Sequence, residues 1–120
     1  MSTRANIVVI KQDGDRHQFY HHTDGYPNWM GKTLNSFLTS SYAIAGDDSD
    51  METIFFKLLE MEGHFEEEKL GRIHRDIEYL WVVNLGYELD TISYEALSAM
   101  GEPVTDVFKD DQAPTVYVSY

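Results

Sequence analysis

The chain has 120 residues, 21 of them acidic and nine basic, which leaves a net charge of −12. That length supports one domain with a core of its own, and so acidic a surface repels nucleic-acid backbones and anionic membranes. Cysteine is absent, which excludes disulfides and thiolate metal sites, and no apolar run approaches the ~20 residues of a membrane span.

The first residues, Met1 to Asn6, lack the apolar centre of a secretion signal, so the expected location is the cytoplasm. From Ala5 to Gln12 the unbroken run Ile7-Val8-Val9-Ile10 predicts a strand covered on both faces and central in its sheet. Asp13-Gly14-Asp15 turns the chain into a hairpin, and Arg16 to His22 reads as the antiparallel partner. Side chains alternate along a strand, so His17, Phe19 and His21 share one face while Gln18, Tyr20 and His22 share the other.

The next residues, Thr23-Asp24-Gly25-Tyr26-Pro27, predict a corner. Gly25 supplies the positive φ there and Asp24 bonds backbone amides ahead of it. A helix follows from about Trp29 to Ser40, with Asn28 as its N-cap and Met30, Leu34, Phe37 and Leu38 as its apolar stripe. Tyr42-Ala43-Ile44-Ala45 forms a second apolar patch before Gly46-Asp47-Asp48.

Ser49 and Glu52 make a capping box for a second helix. Met51, Ile54, Phe55, Leu58 and Leu59 are its stripe, and Gly63 ends it. Glu66-Glu67-Glu68 and the following residues to Asp76 read as an acidic segment and a loop. Ile77 to Leu85 predicts a strand with Tyr79, Trp81 and Val83 on one face. Tyr87 to Tyr94 is its more polar, edge-located partner, Glu95 to Met100 a short helical turn, and Thr115 to Tyr120 a last strand. The fold class is therefore α+β, an antiparallel sheet of about five strands in the order β-β-α-α-β-β-β with two helices on one face.

Chemistry concentrates in the second strand and the corner. His21, His22, Asp24, Tyr26 and Trp29, with Arg16 as a nearby cation, form a candidate ligand site, since a few convergent polar groups among aromatics are how small ligands are held. Arg4, Lys11 and Arg16 are the cations available there for a phosphate. Metal ligation is not expected: His17 and His21 stand about 13 Å apart along a strand, and no ligand spacing is present. Hydrolytic motifs are absent as well, so neither catalytic residues nor a cofactor are assigned.

A second candidate surface is acidic. Asp47, Asp48 and Asp50 precede the second helix, and Glu66, Glu67 and Glu68 follow it, with Lys57 and Lys69 the nearby cations. A surface built for solubility alone intersperses the two signs.

The opening Ser2-Thr3-Arg4-Ala5-Asn6-Ile7, taken with His21-His22-Thr23-Asp24-Gly25-Tyr26-Pro27, resembles a set of small uncharacterised phage and prophage proteins with a TRANI-like start and an H-x-D-G-Y-P element. The resemblance spans roughly the first thirty residues. It implies a bacterial host cell as the setting, where small acidic phage proteins bind and disable defence proteins, and it implies no catalytic residues. The first expectation is thus a non-enzymatic protein that binds and inhibits a host protein with a basic surface. The alternative is a binder of a nucleotide signal at the His21-to-Trp29 corner, and a metal-dependent hydrolase comes last. A homodimer through the apolar last strand is a further expectation.

Overall fold

A computed structural model of the chain describes residues 3–45, 51–72, 74–85 and 93–98. The apolar run near the start forms β1 (Ala5–Ile10), and the hairpin returns as β2 (Arg16–His21). Helices α1 (Pro27–Ala45) and α2 (Met51–Glu62) follow, then β3 (Glu66–Glu68), β4 (Tyr79–Asn84) and β5 (Ser93–Ser98).

The five strands form one mixed sheet in the order β3-β2-β1-β4-β5. Three of its pairings are antiparallel, but β1 and β4 run parallel, from Ala5 beside Tyr79 to Ile10 beside Asn84. The sheet is mostly antiparallel, as expected, and this one pairing is the parallel exception. A parallel neighbour needs a long crossover, and here the connection passes through both helices and β3. β1 is central, as its apolar run requires.

Register places Ala5, Ile7 and Val9 of β1, Phe19 of β2, Trp81 and Val83 of β4 and Tyr94 and Ala96 of β5 on one face. These join Met30, Leu34 and Leu38 of α1 and Met51, Phe55 and Leu59 of α2 in one buried core. The period of 3.6 in the helices thus meets the period of two in the strands.

Several boundaries differ from expectation. α1 begins at Pro27, because a proline at the first helical position gives up an amide that has no partner anyway. The Tyr26 carbonyl accepts from Trp29 N and Met30 N at 3.1 and 2.9 Å, so Asn28 lies inside the first turn. The patch Tyr42 to Ala45 continues α1. The Glu52 carboxylate reaches across to accept the backbone N–H of Gln12, tying α2 to the end of β1; Ser49 lies outside the described residues. Gly63 ends α2 with a φ of 92°, the left-handed conformation glycine adopts without penalty.

Glu66–Glu68, expected as loop, is the edge strand β3. Its pairing with Gln18, Phe19 and Tyr20 outweighs the low strand propensity of glutamate. Glu95 to Ser98, expected as a helical turn, belongs to β5, since Tyr94 and Ala96 alternate inward against Val83 and Trp81. The expected strands over Tyr87 to Ile92 and Thr115 to Tyr120 lie outside the described residues, as does the dimer surface built on the latter. Among the described residues no helix is long and apolar enough to cross a membrane.

Candidate functional site

The predicted corner at the end of β2 is built, but its residues diverge. His21 points into the core side with only 2% of its side chain exposed, packed against Phe65 and Trp29 at ring distances of 4.6 and 5.3 Å. Its Nδ1–H donates to the Thr23 carbonyl. Its Nε2 is buried without a hydrogen bond, 3.5 Å from Glu62 Oε1. His64 approaches the other Glu62 oxygen at 3.5 Å. His22, one residue on, projects from the opposite face, 3.3 Å from Glu66 and edge-on to Tyr20.

Asp24 contributes backbone rather than a carboxylate. It takes the left-handed conformation with φ 56°, which aspartate tolerates better than most residues, and its side chain makes no hydrogen bond to a described residue. This corrects the expectation that Gly25 supplies the positive φ. Gly25 is needed for a different reason: a Cβ there would lie 2.5 Å from Ala5 Cβ and 3.0 Å from Thr3 O. Its N–H bonds Thr3 O at 2.8 Å and its carbonyl accepts from Trp81 Nε1 at 2.9 Å. The Asp24-Gly25 element is thus a clamp between the start of β1 and β4. Tyr26 is exposed, and Arg16 stands at the far end of β2, about 16 Å from His21 at ~3.3 Å per residue. Arg4 and Lys11 are also apart, at opposite ends of β1, each beside an aspartate.

The acidic residues separate by burial as well. Glu66 and Glu67 leave 62% and 55% of their side chains exposed, whereas Glu68 is turned inward with 9% exposed. Its Oε2 accepts from Asn6 Nδ2 and Gln18 Nε2 at 2.9 and 2.6 Å, and its Oε1 bonds His74 Nε2 at 2.7 Å. Burial pushes the Glu68 carboxyl up, but the hydrogen bonds from Gln18, His74 and Asn6 and the charge of His74 outweigh it and hold the group below its ordinary value. Gln18 also accepts from Gly71 N and donates to the Arg72 carbonyl. His74 stacks on Tyr20 at 4.1 Å. The Tyr20 hydroxyl donates to Asp76, and burial followed by that bond raises its pKa. Asp47, Asp48 and Asp50 lie outside the described residues.

One concavity goes unmarked in the sequence reading above. A groove of about 490 Å³ runs between α2 and the β2–β3 edge. Phe19, Phe56 and Phe65 make its apolar surface, and Glu52 and Glu60 line it from the helix side and Glu67 from the strand side. Phe56 meets His17 at 5.1 Å and Phe19 at 6.0 Å. Glu67 Oε2 is 2.7 Å from His17 Nδ1, while Glu60 is exposed and makes no bond to a described residue. Lys11, the one lysine or arginine lining the groove among the described residues, lies 3.9 Å from Asp13. The signal was available in the spacing: Glu52, Phe56 and Glu60 recur every four residues, a second row beside the core stripe.

Among the described residues no group of three or more His, Asp or Glu is arranged to hold a metal ion. The groove has an aromatic floor and carboxylate rims. Comparison with models of protein families, with curated proteins and with solved structures finds no match to this chain.

Proposed function

We propose that this protein is a non-enzymatic interaction protein that binds a basic segment of another protein. The observation that supports this reading most is the pair of acidic rims facing each other across the groove, Glu52 and Glu60 on α2 and Glu67 on β3, with Glu66 next along the edge strand adding exposed charge on the opposite face beside His22. Charge of one sign on both sides of a concave surface steers an oppositely charged partner and sets its orientation. The resemblance of the first thirty residues to phage proteins supports a bacterial host protein as the partner and inhibition as the outcome. Glu68 is not part of the surface in this reading, because its carboxylate is consumed inside the fold.

Capture of partners from bacterial lysate at low and high salt, with Glu66 and Glu67 together changed to Lys, tests the reading. Retention should fall in the variant and fall again with salt, since exposed charge pairs are screened. Equal retention by both proteins at both salt levels would sink it.

A further inference from the structure

We propose that the groove between α2 and the β2–β3 edge reads arginine, seating a guanidinium of the partner's basic segment on Phe56 between Glu60 and Glu67. This rests on the interaction reading above and makes it more specific.

The carboxylates alone would accept any cation; the apolar surface between them distinguishes one from another. Phe56 is half-buried with its ring centre 6.1 Å from that of Phe55, 5.1 Å from His17 and 6.0 Å from Phe19, neighbours that hold it in place. A guanidinium is planar and weakly hydrated. It can lie flat on an aromatic ring while its edge N–H groups reach carboxylates on either side. A lysine ammonium is a strongly hydrated point charge, and it gives up more on leaving water for an apolar floor.

The acceptors have capacity to spare. One oxygen of Glu67 is engaged by His17 and one oxygen of Glu52 by Gln12, which leaves a second oxygen on each. Glu60 has both, since no bond ties it to a described residue. Lys11 is drawn toward Asp13 and leaves the carboxylates in excess. A volume of about 490 Å³ also exceeds what one side chain fills, so flanking backbone of an extended segment fits with it.

Fluorescence anisotropy with two synthetic peptides of equal length and charge, one alternating Arg with Ser and the other Lys with Ser, tests this directly. Wild type should bind the arginine peptide roughly tenfold more tightly, the scale of one cation–π and bidentate contact. Phe56→Leu keeps the apolar volume but removes the ring face, and Glu60→Gln removes a charge on an exposed helix position. Each should bring the ratio of the two affinities toward one, with thermal melts confirming that both variants fold. Glu66→Lys should instead weaken both peptides and leave the ratio unchanged. Equal binding of the two peptides by wild type, lost on reversal of Glu66 and Glu67, overturns arginine reading and leaves the acidic-surface reading standing. An arginine preference that survives in both groove variants also overturns it. Binding of neither peptide overturns both.

Discussion

On the helix-covered face of the sheet, Ile7, Phe19 and Trp81 meet α1 and α2 in a core without charge. On the opposite face their strand neighbours Asn6, Gln18 and Tyr20 are nearly as buried. What covers them is the pair of segments Lys69 to Arg72 and His74 to Asp76, and what holds those segments is a set of hydrogen bonds centred on Glu68. The first face is stabilised by area removed from water, which is insensitive to pH and to the angle of any one contact. The second depends on every donor having its acceptor, because a buried polar group left alone costs more than its bond contributed.

The contrast is tested most severely by truncation on the dry face. Phe55→Ala should cost about 3–5 kcal/mol in denaturant unfolding, as removal of a fully buried ring from a packed core does. Glu68→Gln should cost about 2 kcal/mol, because Asn6, Gln18 and His74 then direct donors at a neutral amide. The two variants should differ in pH response. The Glu68 carboxyl is held below its ordinary value of 4.5 when folded, so its stabilisation is complete above that pH and is lost as pH falls through the folded value. Phe55→Ala should keep that acid sensitivity and Glu68→Gln should lose part of it. Identical acid unfolding of wild type and Glu68→Gln would show that the network does not hold the second face.

Smaller effects sharpen the boundary between the faces. Gly25→Ala should cost about 1–3 kcal/mol by pushing the corner off Ala5, and the indole N–H of Trp81 should exchange faster by NMR as its bond to Gly25 weakens. Tyr20→Phe should cost no more than about 1 kcal/mol, because the ring still stacks on His74 and only the bond to Asp76 is lost. Faster hydrogen exchange confined to the residues around His74 and Asp76 would mark the local effect; exchange spreading into β4 would contradict it.

These two faces also differ in how far the sequence discloses them. The alternation in β1, β2 and β4 and the stripes of both helices specify the dry face, since periodicity registers which side of an element is apolar. The strands β1, β2 and β4, both helices and the central place of β1 follow from it. The polar face leaves no such trace. Asn6, Gln18, Glu68 and His74 come from four separate segments and converge only once β3 has paired with β2. Glutamate triplets ordinarily mark a solvated loop, so β3 is hidden in the sequence, and with it the inward turn of Glu68. The corner is legible as a turn but not as a clamp, because the need for Gly25 arises from Ala5 and Trp81, which approach through tertiary structure. The groove is intermediate: its helix row is visible in the spacing of Glu52, Phe56 and Glu60, and its strand wall is not.

The parallel pairing of β1 with β4 carries a consequence for how the molecule is made. β1 is synthesised before β4 and has β2 to pair with at once, but its other edge must wait for Tyr79 to Asn84 while two helices and β3 are made. Through that interval an apolar strand has an open side, the surface that recruits strands from neighbouring copies. Closure of so long a loop sets the pace of folding. The yield of native protein should therefore fall as its concentration during synthesis rises, even in variants whose finished fold is no less stable.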